Sequence, residues 1–436
     1  MANTYLTWTP SSSGTRAKWT FSAWVKKGET TANGTLFFAG GSNSDYSKIL
    51  LQTDGKLYIS EVGGGSTVWE VQTNRLFRDP SAFYHIVIVY DSGQGTASNR
   101  VKIYINGVQE TSFSATSYPA QNRGAMWLAG GTEHRIGRDY ISQYFGGVIS
   151  YVNFSDGYAL APSVFGSVDS TTGEWKINTS PSFTLGTYGF TILKDGNTIT
   201  DQSTNSNNWS LGGGTLTKTE DCPSNVFATL NSIDKNSTLT LTNGNNTSFA
   251  GSTGWSNATR GTLGIASGKF YWEMKITGSG TASGLFFGVC ADTVTLITSQ
   301  GIQDNATEKA KGVLVLCDDG QSQLDTNSRA SMTSAPAFND VLGCAVDRDN
   351  NTVKFYKNGS QVGSIDISSS PLASCLHIMP FIINYYTATK LNFNFGNGYF
   401  GTTAVSSAGT NASGNGIFEY DVPTGFTALS TKGLNL

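Results

Sequence analysis

The sequence predicts an all-β protein: two β-sandwiches joined by an irregular connector. Three observations carry that prediction. Thr, Val, Tyr and Phe recur in short runs interrupted by Gly and Asn, and the chain holds 24 Phe, 18 Tyr and 51 Gly. That is the composition of strands separated by many turns, with enough aromatic surface to bury a core. At 436 residues the chain exceeds one ordinary core, so two or three domains are expected. Helix signals are scarce. Asn305-Ala-Thr-Glu308 reads as a small capping pattern that supports a turn or two, and no heptad, collagen triplet or β-helix repeat occurs.

The elements follow in order. Residues 1–165 form the first unit. Phe21–Val25 alternates, and Thr35–Ala39 and Ile49–Gln52 continue the pattern. Asp54-Gly55 joins Lys48–Gln52 to Lys56–Ser60 as a hairpin, because Asp-Gly supplies the positive φ of a tight turn. Tyr84–Tyr90 and Arg100–Gly107 are a second strand pair, and Ile136-Gly137 and Phe145–Phe154 close the unit. Residues 166–229 are turn-rich and then Asn/Ser/Gly-rich, with single aromatics Trp175, Phe190 and Trp209. They read as an irregular connector that packs between the sandwiches through those rings. Residues 230–400 return to strand runs: Gly268–Thr277, Leu285–Ala291, Val341–Asp347, Thr352–Gly359 and Leu391–Gly396. Residues 401–436 form a C-terminal extension, Ser/Gly/Asn-rich and then apolar at Ile417-Phe418 and Phe426–Leu429. It is expected on the sandwich surface or against a neighbour.

Two ordered sets of motifs carry family resemblances. Ser22-Ala-Trp-Val-Lys26, Tyr84-His-Ile-Val-Ile88, Tyr104-Ile-Asn-Gly107, Ile136-Gly137, Phe145-Gly-Gly-Val-Ile149 and Ala159-Leu160 resemble, in order and spacing, the laminin-G/concanavalin-like superfamily. Gly268-Lys-Phe-Tyr-Trp-Glu-Met-Lys-Ile-Thr277, Leu285-Phe-Phe-Gly-Val-Cys-Ala291, Val341–Asp347, Phe355–Gly363, Pro380-Phe381 and Leu391-Asn-Phe-Asn-Phe-Gly396 resemble a SPRY domain. The resemblances imply a jelly-roll, concanavalin-like sandwich followed by a SPRY-like one.

Charge excludes some classes. The 28 basic and 31 acidic residues give a net charge of −3, and charged residues make up 14% of the chain, below the roughly 25% usual for soluble domains. No basic run provides the footprint that nucleic acid requires. The five cysteines, Cys222, Cys290, Cys317, Cys344 and Cys375, lack C-x-x-C spacing and read as free, mostly buried thiols. Met1-Ala-Asn-Thr-Tyr5 carries no signal-peptide pattern, and no apolar run spans a bilayer. The chain is therefore expected to be made in a cytoplasm without membrane insertion. The Asn-x-Ser/Thr sequons then carry no meaning.

Catalytic constellations are missing from the sequence. No G-x-S-x-G elbow occurs. His85 and His377 sit in apolar strand patterns, and His134, in Glu133-His-Arg135, is the one histidine expected to be free. The E-x-D-x-E arrangement of sandwich glycosidases is absent, with Glu61, Glu70 and Glu110 isolated, so the chain reads as no enzyme. No cofactor is indicated. Asp347-Arg-Asp-Asn-Asn351 and Asp318-Asp319-Gly320 read as hairpin turns, since the calcium-loop Gly and distal Glu are missing; a calcium site assembled from distant loops stays open. Gly278–Gly284 reads as a hairpin loop and not a phosphate loop.

Binding fits better. Exposed aromatics stack on sugar faces while Arg, Asn and Asp bond the hydroxyls, and sandwich loops supply both. His134, Arg135, Arg138, Tyr140 and Tyr144, with Trp127 and Trp69, are the candidate ligand residues. Trp255, Tyr385 and Tyr386 are candidates for protein contact, as SPRY resemblance implies. The domain order resembles a group of tailed-bacteriophage structural proteins. That resemblance implies a virion adhesin, of tail-fibre or decorating type, that binds host surface polysaccharide. Its partners would be other virion proteins and further copies of itself, a trimer for instance, which would multiply weak contacts. A purely structural decorating or adaptor role is the alternative, and a polysaccharide-degrading enzyme the third reading.

Overall fold

The computed structural model describes residues 3–28, 32–194, 198–279, 284–296, 301–327 and 329–435. Residues 280–283 of the expected Gly278–Gly284 loop lie outside them. The chain divides into two compact units, with the division falling between residues 218 and 225. Each is a β-sandwich, as the strand patterning requires. Among the described residues the one α-helix, Ala306–Lys309, is a single turn whose Asn305 Oδ1 accepts the Glu308 N–H.

In the first unit an eight-stranded sheet runs in the order β10 (Phe113–Ser117), β6 (Ser66–Leu76), β5 (Lys56–Gly63), β4 (Tyr46–Leu51), β3 (Gly34–Gly40), β11 (His134–Ile136), β1 (Tyr5–Trp8), β16 (Ser210–Gly213). A six-stranded sheet runs β15 (Phe190–Ile192), β12 (Gly147–Asp156), β2 (Lys18–Lys27), β7 (Tyr84–Asp91), β8 (Val101–Ile105), β9 (Val108–Gln109). Period-two alternation sends Leu6, Phe37, Ile49, Ile59 and Val71 into the core with Phe21, Ile86, Ile88 and Phe154. Each such buried side chain contributes about 1.5–3 kcal/mol.

The sequence reading sets residues 166–229 apart as a connector packing between the sandwiches; the structure corrects it. Residues as far as Lys218 belong to the first unit, and Phe190 and Trp209 lie in its core. The hairpin of β13 (Gly166–Val168) and β14 (Trp175–Ile177) accompanies Leu160, Val164, Phe165 and Phe183, which pack on Val87, Val89 and Tyr104 of the six-stranded sheet. The Asn/Ser-rich stretch is tied by its own polar groups. Asp201 accepts the backbone N–H groups of Thr191, Ser203 and Asn207 at 2.8–2.9 Å, and Asn205 and Asn207 both donate to the Gly189 carbonyl.

In the second unit one sheet runs β17 (Leu230–Lys235), β20 (Ala258–Gly261), β29 (Ile378–Asn384), β22 (Leu285–Ala291), β23 (Val313–Cys317), β24 (Gln321–Leu324), β25 (Ala330–Ser331). The other runs β18 (Leu239–Thr242), β19 (Thr247–Ala250), β30 (Thr389–Asn394), β21 (Lys269–Gly278), β26 (Val341–Asp347), β27 (Thr352–Lys357), β28 (Ser360–Asp366). A short ribbon, β31 (Tyr399–Phe400) with β32 (Thr403–Ala404), leads from the sandwich into the C-terminal extension. The extension lies on its own sandwich. Phe418, Val422 and Phe426 pack on Tyr271, Ala345 and Tyr356, and β33 (Thr427–Ala428) pairs in parallel with Phe270–Tyr271. Buried Glu273 holds it there, accepting the N–H groups of Glu419 and Tyr420 at 2.8 and 2.9 Å. All five cysteines are free thiols, with Cys290, Cys317 and Cys344 buried.

Candidate functional site

The outward residues of the eight-stranded sheet form a cross-strand row. Thr7 pairs with Arg135, Arg135 with Phe38, Phe38 with Lys48, Lys48 with Ser60, and Ser60 with Glu70. Strands about 4.8 Å apart place these six residues in one line. Tyr5, Tyr46 and Tyr58 share the face, one register step of two residues away from that line.

A loop from Gly137 to Phe145 folds back over one end of the row. Gly137, at φ +88°, reverses the chain, and the Phe145 N–H donates back to the Gly137 carbonyl at 2.9 Å. Asp139 braces the interior: its Oδ1 accepts the Gln143 N–H at 2.9 Å, and its Oδ2 lies 3.8 Å from Lys48 Nζ. Arg135 anchors the loop. Its Nε and Nη2 donate to the two carboxylate oxygens of Glu133 at 3.0 Å, and its Nη1 donates to the Asp139 carbonyl at 3.1 Å. The guanidinium also lies 5.7–6.0 Å from the rings of Tyr5, Phe38 and Tyr140. Hydrogen bonding to Glu133 raises its pKa further above the ordinary guanidinium value.

Arg138 is held differently. Its guanidinium sits 4.8 Å from the Tyr5 ring and 5.2 Å from the Tyr144 ring, and Nη2 donates to Ser142 Oγ at 2.9 Å. Tyr5 meets Tyr144 edge-on at 6.1 Å. Behind Tyr5 lie Gly212 and Gly213, where an added Cβ would come within 2.4 and 2.9 Å of the ring. At the crest Tyr140 and Ile141 are 44% and 59% exposed. Arg135, Arg138, Tyr140 and Tyr144 are thus brought together, as their sequence spacing suggests. Tyr5 and the glycines behind it were not foreseen; the alternation of Tyr5 and Thr7 with core Leu6 was the signal available.

Three expected ligand residues are corrected. Trp69 and Trp127 are fully buried. Trp127 packs on Trp19 and Phe37 in the core, and Trp69 Nε1 donates to buried Glu61 at 3.3 Å. His134 is not free: as an inward residue of β11 it donates from Nδ1 to the Thr132 carbonyl and accepts the Leu128 N–H at Nε2, both at 2.9 Å. Burial lowers its pKa to about 4. His85 is buried as expected, between the rings of Trp24 and Trp175. Trp175 Nε1 donates to its Nδ1 at 2.9 Å, so Nε2 carries the proton and donates to Ser22 Oγ at 2.9 Å. Burial lowers its pKa to about 3.

The three isolated glutamates each have a partner. Glu61 meets Arg123 and accepts from Ser47 Oγ, Glu110 meets Arg75, and Glu70 accepts the Tyr58 hydroxyl at 2.6 Å. Burial first, and that bond second, push Tyr58 up to about 12. Asp347–Asn351 is a turn between β26 and β27, with Asp347 accepting from Asn350 N–H and Nδ2.

In the second unit Trp255, Tyr385 and Tyr386 do converge. Ring centroids of Trp255 and Tyr385 are 4.6 Å apart, and those of Tyr385 and Tyr386 4.7 Å. Trp255 rests on Phe286 at 5.3 Å, and the Arg329 guanidinium lies 5.6 Å from the same ring. Tyr386 is 39% exposed.

Residues 1–164 match the concanavalin A-like lectin/glucanases superfamily, and residues 269–398 match the SPRY domain. Curated proteins give no match. Among solved structures the chain is similar to the SPRY domain of human HERC1, at 18% identity and TM-score 0.30 over 38% of this chain and 96% of that one. It is also similar to stonustoxin, at 16% identity and TM-score 0.30 over 38% of this chain and 27% of that one. A third similarity is to the native heptameric SAP-like pentraxin from Limulus polyphemus, at 18% identity and TM-score 0.27 over 36% and 71%. The chain therefore carries a concanavalin-like domain followed by a SPRY domain, both of them β-sandwiches.

Proposed function

We propose that this is a binding protein and not an enzyme: a tailed-phage virion adhesin, of tail-fibre or decorating type, whose concanavalin-like unit holds host surface polysaccharide. The observation that carries this reading is the rim of Tyr5, Arg138, Tyr140 and Tyr144 on the open face of a lectin-type sheet. Tyrosine rings offer flat apolar faces to sugar rings, a guanidinium offers donors to hydroxyls, and a rigid sheet keeps both in place. The phage assignment is supported by the domain order in the sequence. It carries with it synthesis in the host cytoplasm, display on the virion and assembly with further copies. The test is a pull-down of the full-length protein on intact host cells before and after periodate oxidation of their glycans. Binding that periodate abolishes is the expected result; binding to neither sample overturns the adhesin reading.

The Trp255–Tyr385–Tyr386 cluster supports a second reading, a structural decorating or adaptor part that meets another protein through its SPRY domain. In that case Tyr386→Ala weakens incorporation into virions, and periodate makes no difference to any cell binding.

A further inference from the structure

Each cation on the open sheet face of the first unit has a carboxylate beside it, with one exception. Arg135 is filled by both oxygens of Glu133, and Lys48 lies against Asp139. Arg138 has a hydroxyl and two rings but, among the described residues, no carboxylate. Lys56, on the same face of β5, lies against Asp54, so Arg138 is the cation left without a carboxylate beside it. The remaining acid on the row, Glu70, lies at its far end on β6 and is engaged by Tyr58. The Nε of Arg138 is buried with no acceptor, a placement that costs free energy unless the charge is satisfied at the other edge. Of that edge, Nη2 reaches Ser142 Oγ in an exposed hydrogen bond at the rim. Tyr5 and Tyr144 hold the guanidinium between their rings, so an oxyanion meets a pre-organised cation and little side-chain entropy is lost on binding.

We infer that the saccharide held at this rim is acidic, bearing a carboxylate or sulfate group that Arg138 engages while Tyr5, Tyr140 and Tyr144 take the sugar faces. The inference rests on the carbohydrate-binding reading above and narrows it to a substrate class. The chain as a whole carries −3, so attraction of an anionic polymer to Arg138 is local and fades with added salt.

The experiment measures binding of the full-length protein to polygalacturonate, dextran sulfate and neutral dextran, for the native chain and for Arg138→Gln, Arg138→Lys and the surface control Arg78→Gln. The expected result is that one acidic polymer binds at least about tenfold tighter than neutral dextran, and which one does so separates carboxylate from sulfate. Arg138→Gln removes that preference, Arg138→Lys keeps part of it, and Arg78→Gln leaves it intact, all with unchanged thermal melts. A preference that survives Arg138→Gln, or neutral dextran binding as tightly as either acid, overturns the inference and leaves the carbohydrate reading standing. Binding to none of the polymers, together with no binding to cells, overturns both.

Discussion

In the first sandwich the turn after β8 is Asn106-Gly107, and in the second the turn after β27 is Asn358-Gly359. The two have nearly the same backbone, with φ of 48° and 79° in one and 49° and 80° in the other, the geometry that suits a two-residue hairpin. Asn106 Oδ1 accepts the His85 N–H at 2.8 Å, and Asn358 Oδ1 accepts the Val341 N–H at 2.9 Å. Over each glycine lies a ring from a segment later in the chain of the same unit: a Cβ on Gly107 would come within 2.4 Å of Trp175, and one on Gly359 within 2.5 Å of Tyr420. What fixes the ring differs. Trp175 donates its indole N–H to His85, whereas Tyr420 is held by its backbone N–H to Glu273. The same steric device therefore takes its proton response from whichever buried group stands behind it.

The largest expected effect separates the two caps by side chain. Trp175→Ala removes a ring and leaves the buried His85 nitrogen without a donor, costing about 3 kcal/mol. Tyr420→Ala keeps the backbone bond to Glu273 and costs about 1 kcal/mol. Urea titrations followed by circular dichroism measure both, and equal losses would break the comparison. Next comes pH. His85 and His134 stay neutral in the fold down to about 3 and 4, while unfolded imidazoles protonate near 6.5. The stability of the first unit is thus full above 6.5 and drains as pH falls from there, by roughly 1.4 kcal/mol per pH unit for each histidine. Burial, outweighing the two N–H donors and the Tyr271 hydroxyl, raises Glu273 to about 7 from 4.5. The folded carboxyl then keeps a proton that the unfolded one has released, so the second unit is most stable below 4.5 and loses stability as pH rises to 7. Of the nine tryptophans only Trp255 and Trp272 lie in the second unit, so tryptophan fluorescence follows mainly the first. Acidification from pH 7 to 5 should lower that melt while raising the other transition, and Glu273→Gln should flatten the second response. The smallest effect sharpens the site. Gly212→Ala pushes a methyl into the Tyr5 ring and weakens saccharide binding a few-fold, with less than about 1 kcal/mol lost from the melt because Tyr5 is half-exposed.

The sandwiches were legible because strand alternation and Asp-Gly or Asn-Gly turns are local signals. The Arg135–Tyr144 loop was legible for the same reason, its residues being neighbours in the chain. What was not legible depends on which way a strand faces. Trp69 and Trp127 read as the weaker ligand candidates, since a sandwich tryptophan is more often core; strand β6 turns Trp69 inward, the turn before β11 buries Trp127, and His134 differs from half-buried Arg135 by one step of the pleat. Tyr5, Gly212 and Gly213 become parts of one rim only when β1 and β16 pair, a partnership no local pattern announces. The Asn/Ser-rich run reads as slack by composition, because the network around Asp201 is visible only once its partners at Thr191 and Gly189 are in place.

The pairing of β1 with β16 has a consequence for the order in which the molecule is made. A chain leaving the ribosome can assemble β2, β7, β8 and β12 once Asp156 has emerged, since each already has its neighbour. Tyr5 by then has Arg138 and Tyr144 in reach but no floor, because Gly212 and Gly213 are still to be translated. Phe190 and Trp209, which complete the core, and the two glycines behind Tyr5 thus reach the unit together, late in its synthesis.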